Sequence, residues 1–174
     1  MEMQPTGKVL EIACGTGLWT EALVRLGDEV TAIDAATEAV AIARDRVRSQ
    51  NVTFDVADVF SWATAERFDV IFFSAWLSHL PIRRFEQFWQ LLRRALANGG
   101  RVLFIDEHID VRAKEAYVPG QDEIVERRLR NGQPFRIVKN FVERLKHQLR
   151  QIGWDCEILR DGSDWIRGEA RLAV

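Results

Sequence analysis

The chain has 174 residues and a mass of 20.0 kDa, with 47% hydrophobic and 29% charged residues, the make-up of one soluble globular domain with a self-sufficient core. A net charge of −2 leaves no broad cationic surface for a phosphate backbone, which argues against nucleic acid as a partner. Cys14 and Cys156 give neither a disulfide framework nor zinc spacing, no apolar run reaches membrane-span length, and Met1-Glu2-Met3-Gln4 lacks the pattern of a signal peptide, so a reducing cytoplasm is the expected location and no membrane is expected as a partner.

Short apolar runs alternate with longer amphipathic ones, without repeat or low-complexity linker, and this alternation predicts an α/β fold. A strand over Lys8 to Ala13 leads into a helix from about Leu18 to Leu26, stopped at Gly27. A second strand, Glu29 to Ile33, ends on Asp34, and Thr37 to Ser49 has helical periodicity. A third strand spans Val52 to Val56 and ends at Ala57-Asp58. Phe68 to Phe73 is a continuous apolar run after Asp69, the mark of a strand buried on both faces. Pro81 opens a helix from Ile82 to Ala97, closed by Asn98-Gly99-Gly100, and a fifth strand runs from Arg101 to Ile105. From Asp106 to Pro134 the chain is charged and weakly periodic, and a loop with a helix near Asp122 to Arg130 is expected. Phe141 to Ile152 reads as a helix ended by Gly153, followed by a strand from Trp154 to Leu159, a turn at Asp161-Gly162-Ser163 and a last strand from Asp164 to about Leu172. That hairpin makes one strand antiparallel in a sheet otherwise joined by helical crossovers.

Ligands of open parallel sheets bind outside the carboxyl ends of the strands. At the first of these ends an apolar run stops at Gly15-Thr16-Gly17, where a sharp turn and a close backbone approach suit a nucleotide-like cofactor. Asp34 follows Gly15 by 19 residues, near the spacing at which such folds place an acid on ribose hydroxyls. Asp58 adds an acid at the next strand end, able to accept from an exocyclic amine of adenine. Glu11 beside the turn opposes a pyrophosphate and favours an ammonium, and threonine at position 20 stands where a dinucleotide loop wants its third glycine. The pattern suits a nucleoside that carries positive charge.

Together these residues resemble the class I S-adenosylmethionine-dependent methyltransferases, over nearly the whole chain. Glu11-x-Ala13-x-Gly15-x-Gly17 matches the family's acid-x-Gly-x-Gly-x-Gly motif with alanine for the first glycine, a replacement tolerated where φ is negative. Phe68-Asp69-Val70-Ile71 matches the family's fourth strand, and Asn98-Gly99-Gly100-Arg101-Val102-Leu103 its entry to the fifth. The resemblance implies a three-layer, doubly wound, Rossmann-like sheet of about seven strands with the last antiparallel. It implies S-adenosylmethionine as cofactor, with Glu11 and the loop residues Ala13, Cys14, Gly15 and Gly17 on the methionine part, Asp34 on the ribose, and Asp58 with the backbone of Val59 on the adenine. Trp19, Ala35 and Ser74 complete the expected cofactor-binding set.

The tetrapeptide of amino-methylating DNA enzymes is replaced by Ser74-Ala75-Trp76-Leu77, and no Pro-Cys nucleophile occurs, so a small-molecule acceptor is expected. His79 is the candidate general base, placed after the fourth strand and of the side-chain type suited to proton removal near neutral pH; a backbone-bonded helix-start histidine is the bland reading of the same residue. His108 is a weaker candidate and His147 reads as solvated. Asp106, Glu107, His108 and Asp110 read as a charged loop rather than a metal site. Trp19, Trp76 and Phe73 are candidate walls of an acceptor pocket, and Arg136 and Lys139 candidate holders of an acidic acceptor. The competing classes are a nicotinamide-dependent oxidoreductase and a cofactor-binding subunit without activity. No stretch ahead of Lys8 is long enough for the lid helices usual in this family, so the segment from Asp106 to Pro134 is expected to cover the site, with a homodimer as the other solution.

Overall fold

The computed structural model describes residues 7–107, 117–118, 121–138, 142–162 and 165–173. In chain order the elements are β1 (Lys8–Ile12), α1 (Thr20–Leu26), β2 (Glu29–Asp34), α2 (Thr37–Arg46), β3 (Val52–Val56), β4 (Phe68–Ser74), α3 (Phe85–Ala95), β5 (Leu96–Glu107), β6 (Tyr117–Val118), β7 (Gln121–Arg128), β8 (Pro134–Val138), α4 (Val142–Gln151), β9 (Trp154–Asp161) and β10 (Trp165–Leu172). Short 3-10 turns at Leu77–His79 and Ile82–Arg84 precede α3. Seven strands form one sheet in the order β3-β2-β1-β4-β5-β10-β9, and β6-β7-β8 form a second. The chain folds into two compact units, residues 1–74 with 88–103 and residues 75–87 with 104–174.

In the first unit β1 lies between β2 and β4, parallel to both, so the strand order reverses beside it. Register puts Glu11 opposite Ala32 on one neighbour and Phe72 on the other, and Ala32 opposite Phe54 of β3. That row shares one face, against which Val40, Ala43 and Val47 pack with Cys14, Ala32 and Phe54. The opposite face meets α3: Phe73, Phe88 and Trp89 form edge-to-face pairs at 5.4–6.3 Å. Helices on both faces of a sheet whose fourth strand is buried at Phe68 and from Val70 to Phe73 make the expected three layers.

In the second unit β9 and β10 form the antiparallel hairpin, Trp154 pairing with Leu172, and α4 precedes it. The phenyl ring of Phe104 fills the place where a side chain at Gly168 would stand, its Cζ lying 2.1 Å from that Cβ position.

Three expectations fail locally. Gln121–Arg128 is a strand where a helix near Asp122 to Arg130 is expected, because pairing with β8 places buried Val125 opposite Ile137 and Glu126 opposite Arg136, partners that local propensity ignores. The helix after Pro81 begins only at Phe85, following the turn at Ile82–Arg84. The strand after it begins at Leu96 rather than Arg101, with Gly99 at φ +74 inside it. His108, Asp110, Lys139 and, within the segment expected to cover the site, residues 108–116 and 119–120 lie outside the described residues.

Candidate functional site

The loop from Ala13 to Trp19 leaves the carboxyl end of β1 and enters α1. The Cys14 N–H donates to Ile33 O at 3.1 Å and the Gly17 N–H to Cys14 O at 3.0 Å, which fold the loop back on the sheet. Gly17, at φ +79, passes so close to α2 that a Cβ there would stand 3.0 Å from that of Ala43. Gly15, at φ +54, has nothing within 4 Å of its Cβ position, so its open side is where a ligand can approach. Ala13 also has positive φ, +56, which corrects the expectation of a negative φ there: the alanine bears left-handed strain that the family's glycine would not.

Glu11 is 2% exposed and accepts the Thr20 hydroxyl proton at 2.5 Å. Burial pushes its carboxyl up to about 7, the Thr20 hydrogen bond pulling it partly back and the Asp34 charge adding to the rise. No cation lies on it among the described residues. Thr20 was not singled out as a site residue by sequence reasoning; its position on the first turn of the helix behind an acid-and-glycine loop is the signal that could have found it.

Asp34 ends β2 and ties the loop to the next helix. Its Oδ2 accepts the Gly15 N–H at 2.9 Å and its Oδ1 the Ala36 N–H at 2.8 Å, while Ala35 between them is exposed. Asp58 follows β3, accepts the Phe60 N–H on Oδ1 at 2.9 Å and leaves its carboxylate exposed, with Val59 buried beside it. Trp19 leans on Phe72 with ring centroids 5.4 Å apart, and Ser74 stands half-buried at the end of β4. All eleven expected cofactor residues belong to the first unit, at the carboxyl ends of β1 to β4. Phe73, expected as a pocket wall, is instead fully buried core.

His79 belongs to the second unit, where it ends the turn Leu77–His79. Its exposed ring stacks on Phe135 at 6.3 Å and 16°. The turn is held by Asp106, wholly buried at the end of β5, whose Oδ2 accepts the Ser78 N–H at 3.2 Å and whose Oδ1 accepts the Glu107 N–H at 2.7 Å. Burial raises the Asp106 carboxyl above its ordinary value against the pull of these bonds. Glu107 is clamped by both guanidinium nitrogens of Arg127 at 2.9 and 2.7 Å. His147 is exposed on α4. Among the described residues no helix is long and apolar enough to cross a membrane, and no group of three or more His, Cys, Asp or Glu is placed to hold a metal.

A family model described as a methyltransferase domain matches residues 9–100. The chain is 36% identical over 102 residues to a malonyl-[acyl-carrier protein] O-methyltransferase of Bacillus cereus, and 37% identical over 82 residues to a ubiquinone biosynthesis O-methyltransferase of Actinobacillus pleuropneumoniae. These matches take in 56% and 42% of this chain but only 36% and 35% of the relatives' own lengths. Among solved structures, the DhpI–SAH complex is 37% identical with a TM-score of 0.81, covering 96% of this chain and 77% of that one. The glycopeptide N-methyltransferase MtfA complexed with (S)-adenosyl-L-methionine shares the fold at 21% identity and a TM-score of 0.77, over 96% of this chain and 87% of that one. With its family match extending over more than half its length, this chain belongs to the class I S-adenosylmethionine-dependent methyltransferases.

Proposed function

We propose that the chain transfers the methyl group of S-adenosylmethionine to a small-molecule acceptor. Glu11 carries this reading: a buried carboxylate at the carboxyl end of the central strand, bonded to Thr20 and facing no cation among the described residues. Such a group is costly in a protein that binds nothing, and the ammonium of an amino-acid-bearing nucleoside supplies the missing charge. A pyrophosphate there would meet repulsion, which disfavours a nicotinamide dinucleotide.

In this reading Glu11 and the backbone from Ala13 to Gly17 hold the methionine part. Asp34 keeps a lone pair on each oxygen for the ribose diol, its other acceptor capacity being spent on Gly15 and Ala36. Asp58, with the backbone of Val59, holds the adenine, and Trp19, Ala35 and Ser74 complete the wall. When bound, the cofactor supplies a methyl group activated on a sulfonium. His79 takes the acceptor's proton. Holding the partners in attack geometry is worth up to roughly 7–11 kcal/mol in well-oriented systems, and proton removal adds about 10²–10⁴ in rate.

Calorimetry with S-adenosylhomocysteine and with NADH tests the cofactor. Binding of the first alone supports the reading, and binding of NADH alone overturns it. A panel of carboxylates, phenols, amines and thiols, screened for S-adenosylhomocysteine production, tests the transfer. Cofactor binding with no turnover on any member favours a non-catalytic subunit.

A further inference from the structure

The second unit contains a hollow of about 430 Å³, a size suited to a small molecule. Ser78, His79, Pro81 and Arg83 contribute to its wall from the turns before α3, Ile124 from β7 and Arg136 from β8. Among the described residues the lining holds two guanidiniums and one imidazole, and no carboxylate. Arg83 has no ion-pair partner among the described residues. Arg136 has Glu126, but at 3.9 Å, beyond hydrogen-bond reach. The N–H and the hydroxyl of Ser78 are both spent on Asp106, which leaves the two arginines and His79, its ring stacked on Phe135, as the polar side chains of the described lining.

We propose that this hollow binds the anionic group of the methyl acceptor, a carboxylate or a phosphoryl group. Planar guanidinium forks match the paired oxygens of either group, and an imidazole N–H adds a third donor. An anion adds compensation to a positive cluster that Glu126 meets only at Arg136 and at 3.9 Å, and a cationic ligand would be repelled. What the anion belongs to rests on the methyltransferase reading; the anion itself rests on Arg83, Arg136 and His79.

The chain has three histidines, so the imidazole signals can be followed by NMR while inorganic phosphate, malonate or glycerol is added, with His79→Ala assigning the signal. Phosphate or malonate should shift the His79 signal saturably and glycerol should not, and whichever anion binds tighter names the group. Arg83→Gln and Arg136→Gln should each weaken the response about five- to tenfold, and together abolish it. Both side chains are exposed, so the variants should fold, and their affinity for S-adenosylhomocysteine should match the parent's. No saturable shift with either anion, or an equal titration in the double variant, overturns the assignment. If phosphate titrates His79 in a protein that does not bind S-adenosylhomocysteine, the methyltransferase reading falls while the anion site stands.

Discussion

The Thr20 hydroxyl donates to the Glu11 carboxylate at 2.5 Å with both side chains buried, and the groups facing that carboxylate are a hydroxyl, the Asp34 carboxylate and the Cys14 thiol. Burial, which also pushes the thiol up to about 12, leaves Glu11 titrating at about 7 instead of the ordinary 4.5. Below pH 4.5 Glu11 is neutral in folded and unfolded chains alike and costs nothing. Between 4.5 and 7 the unfolded chain sheds the proton first, so stability falls, and above 7 the full cost, on the order of 3 kcal/mol, is in place. Glu11→Gln should therefore stabilise the free protein by up to about that amount at pH 8 and leave it unchanged at pH 4, while cofactor affinity collapses. An ammonium favours the ionised form, so affinity should climb with pH up to about 7 and then level, with proton release on binding at pH 6. Calorimetry at pH 6 in buffers of different ionisation enthalpy reads that release directly. A binding heat independent of buffer would remove Glu11 from the ammonium site.

Asp34, proposed to face the ribose, also organises the loop. Because its two oxygens accept from Gly15 and Ala36, Asp34→Ala should loosen the loop as well as lose the diol. The expected cost is about 1–3 kcal/mol of stability, together with a severe loss of S-adenosylhomocysteine affinity. Thermal melts and calorimetry on the same preparation separate the two effects. Unchanged affinity in the folded variant would sink the ribose assignment.

Ala13 sits at φ +56, where an L-residue is strained by about 1–2 kcal/mol and glycine is not. Glycine gives back part of that gain through its more mobile unfolded chain, about 0.4–1 kcal/mol. Ala13→Gly should thus stabilise the protein by up to about 1 kcal/mol, read as a small rise in Tm, and restore the family's glycine pattern. A clear loss of stability would show that the methyl group makes contacts worth more than the strain.

The first unit was legible in the sequence because each of its strands carries its own signal. Lys8–Ile12 carries Val9, Leu10 and Ile12, Phe68–Ser74 is apolar from Val70 to Phe73, and the strand ends are marked by Gly15, Gly17 and the acids Asp34 and Asp58. The second unit was less legible because its order depends on partners distant in sequence. The run from Gln121 to Arg128 is rich in helix-forming residues, and its pairing with β6 and β8 makes it a strand. His79 could be named from its place after β4, but its stack on Phe135 and its neighbours Arg83 and Arg136 required knowing where β8 lies. Asp106 was visible as a strand-end acid and was weighed there as a metal ligand. Nothing local showed that its carboxylate turns inward to backbone N–H groups.

Asp106 is wholly buried, and its oxygens accept the N–H groups of Ser78 and Glu107. The carboxylate therefore serves as a bracket for the turn that carries His79 rather than as a reacting group. Asp106→Asn preserves shape but replaces one acceptor oxygen with a donor, leaving one buried N–H facing another at a cost of about 1–3 kcal/mol. If the Ser78 amide is the one released, it should exchange with solvent about tenfold faster for each 1.4 kcal/mol lost locally, and Glu107 should respond in its place if the new side chain turns the other way. Turnover should fall because His79 is held less firmly, whereas S-adenosylhomocysteine affinity, which the proposed site assigns to residues of the first unit, should stay at the parent's value. Amide exchange by NMR reads the bracket and calorimetry reads the cofactor site. Unchanged protection at both Ser78 and Glu107 would mean that the turn is held by its own packing and that Asp106 contributes nothing to His79.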